Sequence, residues 1–157
     1  MTKLVFNAGI TFIVIAVILT PQNLSAQAND QPYMNDIDSF FALLAENKGD
    51  EAILALYKDS PYASAMSDAI NNVAIQLAGM KRTYGDYHAH EVLVHEIVLE
   101  RYAYLMFFVS FDRQPFKFEF HYYKPDETWQ FQNFRFSDEI DDDIVEAAKY
   151  RLLRNFP

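Results

Sequence analysis

The sequence contains no cysteine and is poor in positive charge. Without cysteine the chain forms no disulfide, binds no metal through thiolates, has no cysteine nucleophile and lacks the residue that carries a bacterial lipoprotein anchor. Lysine and arginine number 13 against 22 acidic residues, which gives a formal net charge of −9. Nucleic acids and anionic membrane surfaces are bound by clustered cations, so neither is an expected partner. Hydrophobic residues make up 51% of the chain, enough to build a core without disulfides.

Residues 1–28 have the three parts of a secretory signal peptide. Lys3 is the only charged residue among the first 29, residues 4–19 are almost wholly apolar, and Ala26-Gln27-Ala28 is a small-residue cleavage signal. The alternative is an anchor that stays attached, but a helix over residues 4–19 reaches only about 24 Å, short of the roughly 30 Å hydrocarbon core of a bilayer. We therefore expect cleavage and export to the periplasm or the cell exterior, with no membrane attachment afterwards.

Helices are predicted at both ends of the exported chain, after a short disordered leader over residues 29–35. Apolar residues at helical spacing predict three helices before residue 85. Capping residues and glycines mark their expected limits: Asn35 or Asp36 to Gly49 for the first, Asp50 for the start of the second, and Ser60-Pro61 to Gly79 for the third. A last helix is predicted from Ser137 or Asp138, because acids in its first turn and cations in its last turns match the helix dipole.

The period of the apolar residues changes from 3.6 to 2 after Gly85, which indicates strands. Four runs are joined by connections of hairpin length, so the sheet is predicted to be an antiparallel meander. These runs cover residues 86–99, 101–111, 115–124 and 128–136. The aromatic residues of the fourth run change parity, and a β-bulge near Gln132-Asn133 would return them to one face. The predicted fold class is α+β: a single domain over residues 36–157, with three N-terminal helices, a curved four-stranded antiparallel meander and a C-terminal helix.

The last hairpin carries a resemblance to a known group of domains. It has a strand ending in Tyr-Lys, a turn and a Trp-x-Phe-x-x-Phe strand: Phe120-His121-Tyr122-Tyr123-Lys124-Pro125, then Trp129-Gln130-Phe131-Gln132-Asn133-Phe134-Arg135-Phe136. This hairpin resembles the closing hairpin of small exported bacterial domains of unknown function with an NTF2-like, cystatin-related fold. The resemblance covers residues 36–137 and implies a curved sheet wrapped around helices to form a cone. Because that family holds isomerases, dehydratases and many non-catalytic members, the resemblance does not imply one function.

Two pairs of residues in the first strand run are candidates for chemistry. His88 and His90 are two residues apart, which places them on one face of a strand, but too few further ligands converge for a metal site and we expect none. His95 and Glu96 point to opposite faces, so one of them lies among apolar neighbours with a perturbed pKa. Either is a candidate general base for an isomerase-like reaction. The sequence has no Ser/His/Asp motif and no glycine-rich phosphate loop, so no cofactor is expected.

The second strand run is apolar on both faces, which is typical of a strand that is covered on both sides. One face is predicted to pack on the helices, and the other carries a candidate binding stripe: Tyr102, Tyr104, Met106 and Phe108. The stripe has three candidate covers: the chain's own core, a second copy of the protein or another envelope protein, and a small apolar ligand. The sequence favours an exported non-catalytic domain that acts through protein–protein contact or binds a small apolar ligand. The alternative is a small isomerase- or dehydratase-type enzyme with its site inside the cone.

Overall fold

The computed structural model describes residues 31–146 and residue 149. In this part of the chain three helices precede a four-stranded sheet. The helices are α1 (Met34–Ala45), α2 (Gly49–Tyr57) and α3 (Ser67–Tyr84), and the strands are β1 (Tyr87–Val98), β2 (Tyr102–Phe111), β3 (Pro115–Tyr123) and β4 (Gln130–Ser137). The strand order is β1-β2-β3-β4 and every neighbouring pair is antiparallel. The predicted α+β class and four-stranded antiparallel meander are confirmed.

Several of the sequence predictions fall outside the described residues. The signal peptide at residues 1–28 and the first residues of the leader lie there, so the number of helices in the whole chain stays a prediction. Most of the predicted C-terminal helix also lies there, although residues 141–146 are helical. None of the helices in residues 31–146 combines the length and the apolar character that crossing a bilayer requires.

The first helix begins earlier than its sequence suggests. Tyr33, expected in the disordered leader, is 1% exposed, and α1 begins at the next residue. Helix α1 then buries the predicted apolar stripe, which includes Phe40 and Phe41. Gly49 does not end this helix but begins α2, and a Cβ at this position would lie 2.8 Å from the backbone of Leu77 on α3. The glycine therefore allows α2 and α3 to pack closely.

The third helix is shifted towards the C-terminus relative to its prediction. It begins at Ser67 rather than at Ser60-Pro61, which lies in a turn, and it continues through Gly79 to Tyr84. Met80 explains the extension, since its side chain is 2% exposed and adds another turn of buried surface. The helix ends at Gly85, whose φ of 90° is readily adopted by glycine and rarely by other residues.

One face of the sheet, here called the inner face, packs against α1. Alternate residues of β2, β3 and β4 are buried on it: Ala103, Leu105, Phe107, Val109, Phe111, Phe116, Phe118, Phe120, Tyr122, Phe131 and Phe134. Phe40 of α1 contacts the rings of Phe118 and Phe120 edge-on. The alternation predicted for the third strand is therefore confirmed. The register of β4 shifts beside Gln132, which confirms the predicted bulge, but Trp129 is half-buried rather than part of the core.

The opposite face of the sheet, here called the outer face, is partly covered by the segment after β4. Lys117 points outward from β3, and its Nζ lies 2.5 Å from a carboxylate oxygen of Asp143. Gln114 at the β2–β3 turn donates to Asp138 at 3.0 Å. These two bonds place the chain after β4 over the end of the outer face that is nearest the β2–β3 turn.

Candidate functional site

Two β-bulges in β1 decide which of its side chains face the helices. The register between β1 and β2 shifts at His88 and again at Leu93, each of which is an extra residue with no partner on β2. Parity therefore changes twice, and His90 and His95 both lie opposite buried residues of β2 on the inner face. The prediction that His88 and His90 share a face is wrong, because the bulge separates them.

The two N-terminal histidines of β1 have separate structural partners. His88 is exposed, and its Nε2 lies 2.6 Å from a carboxylate oxygen of Asp112. His90 stacks on Phe41 with a centroid distance of 3.7 Å and an interplanar angle of 6°, and its Nδ1 lies 2.6 Å from the Tyr87 hydroxyl. Burial lowers the pKa of His90. Within the described residues, no group of three His, Cys, Asp or Glu side chains is arranged to hold a metal ion.

His95 is the catalytic candidate that the structure places among aromatic rings. Its Nε2 lies 2.8 Å from the hydroxyl of Tyr33, the buried residue just before α1. Tyr33 stacks on Tyr122 at 4.7 Å and meets Trp129 edge-on at 5.2 Å. Burial lowers the pKa of His95 and raises the pKa of Tyr33 to about 12. At neutral pH the pair is therefore an uncharged imidazole and an un-ionised phenol.

Glu96 does not share this environment. It lies opposite Tyr104 on the outer face and is exposed, so the sheet separates its side chain from that of His95. Of the two candidates, His95 is therefore the one among apolar neighbours. A cavity of about 70 Å³ lies elsewhere, between α2, α3 and β4, with Tyr57 and Asn133 as its polar lining residues. Its volume is well below the 300 Å³ or more of a typical small-molecule site.

The predicted stripe on β2 lies on the outer face, and the chain itself covers much of it. Tyr104, Met106 and Phe108 are half-buried, and Tyr102 is 40% exposed. The Tyr104 hydroxyl donates to Glu119 at 2.7 Å, and burial together with this bond raises the pKa of Tyr104.

The Tyr102 hydroxyl completes a second polar contact on the same face. It lies 2.8 Å from Nδ1 of His121, and burial lowers the pKa of that histidine. Polar side chains of β3 thus cover the stripe from one side. The three covers expected from the sequence do not include polar side chains of the same sheet.

Exposed apolar side chains also lie along the edge of the sheet, on both faces of β1, in the turn that follows and at the first residue of β2. We define the β1–β2 apolar surface as six residues that are each more than a third exposed: Val92, Leu93, Ile97, Val98, Leu99 and Tyr102. They are six of the twelve exposed large hydrophobic residues among the described positions. Apart from Tyr102, sequence reasoning missed them as a site. The available signal was a first strand run that is apolar on both parities, which is unusual for the edge of a sheet.

The turn between β1 and β2 has an unusual backbone. Leu99 and Glu100 have φ values of 53° and 56°, and the N–H of Arg101 donates to the carbonyl oxygen of Val98 at 3.0 Å. Two successive positive φ values are typical of a type I′ turn, for which Asn-Gly is the preferred pair. A left-handed conformation costs a residue with a side chain about 1–2 kcal/mol. Leu99 is also 88% exposed, so its side chain gains almost nothing from the fold.

A neighbouring arginine holds this turn in place. The guanidinium of Arg101 donates to three backbone carbonyls of the β3–β4 turn, at Lys124, Pro125 and Asp126, over 2.9–3.2 Å. The N–H of Lys124 returns a bond to the carbonyl of Arg101 at 2.8 Å. The two hairpin ends are therefore tied together, and Leu99 projects from a fixed base.

A comparison of the chain with protein-family models finds no match, and comparisons with curated proteins and with solved structures find no significant match.

Proposed function

We propose that the protein is an exported, non-catalytic domain that acts through protein–protein contact at the β1–β2 apolar surface. The observation that carries this proposal is the concentration of exposed apolar side chains within residues 92–102. A concentration of exposed apolar side chains along one edge of a folded domain is typical of an interaction site. The turn supports the same conclusion, because strain in a backbone is retained where a function requires it.

Rigidity also favours contact with another protein. A binding residue that is already held in place loses little conformational entropy when its partner arrives. The bonds of Arg101 to the β3–β4 turn fix the base from which Leu99 projects. By contrast, the cavity of about 70 Å³ between the helices and β4 gives little support to binding of a small apolar ligand.

Export and family remain part of the proposal. Lys3, the apolar run over residues 4–19 and Ala26-Gln27-Ala28 support cleavage of a signal peptide. The aromatic spacing of the last hairpin supports an NTF2-like domain with three N-terminal helices and a C-terminal helix. N-terminal sequencing of the exported protein should begin near Asn29, and a membrane-bound form that begins at Met1 or Thr2 would contradict export with cleavage.

Site-specific photo-crosslinking in producing cells tests the interaction. A photoreactive benzoylphenylalanine at Leu99 should give a discrete adduct, whereas the same group at Ile75, which is 71% exposed on α3, should give none. Adding Val98→Asp should remove the adduct if the contact needs the apolar surface. The same pattern of adducts from both positions, or an adduct that survives Val98→Asp, would overturn the proposal.

A small isomerase- or dehydratase-type enzyme is the second candidate function. The observation in its favour is the uncharged His95 imidazole bonded to Tyr33 on the inner face. To act as a base, His95 must exchange that bond for a substrate. A screen of small carbonyl compounds by NMR should then move the His95 ring signals and leave those of exposed His88 unchanged. Compounds that move neither histidine would count against the enzyme.

A further inference from the structure

We infer that the free edge of β1 binds an extended segment of another protein in which basic and apolar residues alternate. This inference rests on the proposed function and names the chemistry of the partner. The segment would add to the sheet as a fifth strand beside β1. It would place its cations on the outer face and its apolar side chains on the inner face.

The edge of β1 is open to strand addition. In the described residues β1 pairs with β2 alone, so every second residue turns its backbone N–H and C=O away from the sheet. Bulges at His88 and Leu93 interrupt the first half of the strand. Residues 94–98 form an unbroken run between the second bulge and the turn, long enough to pair with a short extended segment.

The two faces of this edge differ in charge, which favours a partner strand that carries its cations on one face. On the inner face Val92 and Ile97 are exposed beyond the helices, at 51% and 38%. On the outer face Glu91 and Glu96 are exposed, opposite Phe108 and Tyr104, and Val98, opposite Tyr102, is 53% exposed beside them. A neighbouring strand with apolar side chains on one face and cations on the other would match both faces.

Charge decides against a second copy of the chain as the occupant. Glu91, Glu96 and Glu100 are all exposed, and none takes part in an ion pair among the described residues. Pairing two β1 edges would bring these carboxylates together, and like charges on neighbouring strands are destabilising. Since the whole chain carries a net charge of −9, a basic partner is also drawn to it from a distance.

Synthetic peptides test the inference on the purified protein. The probe is a capped eight-residue peptide that alternates lysine and valine. One control has glutamate in place of lysine, and another has the same lysines and valines in a Lys-Lys-Val-Val order. We expect the alternating lysine peptide to bind at least tenfold more tightly than either control, as measured by calorimetry. It should also slow hydrogen exchange of the amides in residues 94–98.

Charge-reversal variants separate edge binding from general attraction to an acidic protein. Glu96→Lys should weaken binding of the lysine peptide at least tenfold, whereas Glu51→Lys, an equal charge change at an exposed position on α2, should change it less than twofold. Equal effects of the two variants, or equal binding of the alternating and reordered peptides, would overturn the inference. So would a dimer in sedimentation that Leu99→Asp dissociates, because a second copy would then occupy the surface.

The outcome separates the inference from the function on which it rests. A specific Leu99 crosslink in cells without a preference for the alternating peptide overturns the strand-addition inference and leaves the interaction domain standing. Absence of the Leu99 crosslink counts against the interaction domain itself, whatever the peptides do.

Discussion

Replacing the strained turn by its preferred sequence should make the protein more stable. In the double variant Leu99→Asn, Glu100→Gly, both residues adopt positive φ with little strain, and two penalties of about 1–2 kcal/mol each are largely removed. The glycine at position 100 offsets about 0.5–1 kcal/mol of this gain in stability, because it makes the unfolded chain more flexible. Leu99 is 88% exposed, so losing its side chain removes only about 0.3 kcal/mol of burial. The free energy of unfolding should therefore rise by at least about 1 kcal/mol.

Urea unfolding followed by tryptophan fluorescence measures this change. The chain has one tryptophan, Trp129, beside the buried ring of Tyr33. The midpoint should rise by roughly 0.5 M at an unchanged slope, since slopes for domains of this size are about 1–3 kcal/mol per M. Leu99→Ala is the matched control, because it removes the same side chain but leaves an ordinary residue at positive φ, and it should not stabilise the protein.

If the double variant is no more stable than the wild type, the turn stores no strain and the reasoning is refuted. Partner binding is a second measurement on the same variant, since the stabilised protein lacks the Leu99 side chain and the Glu100 charge. It should lose partner binding while it gains stability, as expected where strain is kept for function.

Three further predictions concern the core and the turns. Burial lowers the pKa of His90, His95 and His121, so the unfolded chain takes up protons first. Stability should be full above about pH 6.5 and fall as the pH drops below it, and equal urea midpoints at pH 8 and pH 5.5 would contradict this. Tyr122 has a buried hydroxyl with no partner among the described residues, so Tyr122→Phe should be neutral or stabilising in thermal melts, and a loss above about 1 kcal/mol would reveal a missed partner. Gly85→Ala should cost more than about 1 kcal/mol in urea, because φ is positive there and a Cβ would clash with the side chain of Asp112; Gly79→Ala, with open space around it, is the control.

The sequence predicts the strands better where the two faces differ in composition. The bulge in β4 is visible because aromatic residues change parity around Gln132, and polar residues fill the other positions. The bulge at Leu93 is invisible for the opposite reason, since β1 is apolar on both parities and a shift by one residue leaves no trace. The sequence spacing of His90 and His95 therefore does not predict that both lie on the inner face.

The helix limits differ from the prediction because a glycine that follows an apolar stripe does not by itself end a helix. Gly49 begins α2 at a close contact with α3, and Gly79 lies inside α3 in open space. Of the three glycines in the described residues, only Gly85 adopts a positive φ and ends a helix. The deciding factor is what surrounds the glycine in space, which a single sequence does not display.

The candidate site was predictable only in part. The aromatic content of β2 predicts that Tyr102 and Tyr104 share one face, but their polar cover by Glu119 and His121 depends on the register of β3. The exposure of Leu99 results from the β1–β2 turn, and the sequence does not predict that turn because it has no Asn-Gly pair there. Local sequence rules describe preferred conformations, so they do not predict a residue that the fold holds in a disfavoured conformation.

The turn at Leu99 and Glu100 also bears on the order in which the sheet forms. Each strand pairs with its neighbour along the chain, so the sheet can assemble one hairpin at a time. The β2–β3 connection contains no residue of positive φ, whereas the β1–β2 turn needs two that the free chain rarely populates. We expect β1 to join the sheet last. Until β1 pairs with β2, β2 is the edge strand of the sheet, and it is apolar on both faces. The newly made chain is therefore most prone to aggregate before the β1–β2 hairpin forms.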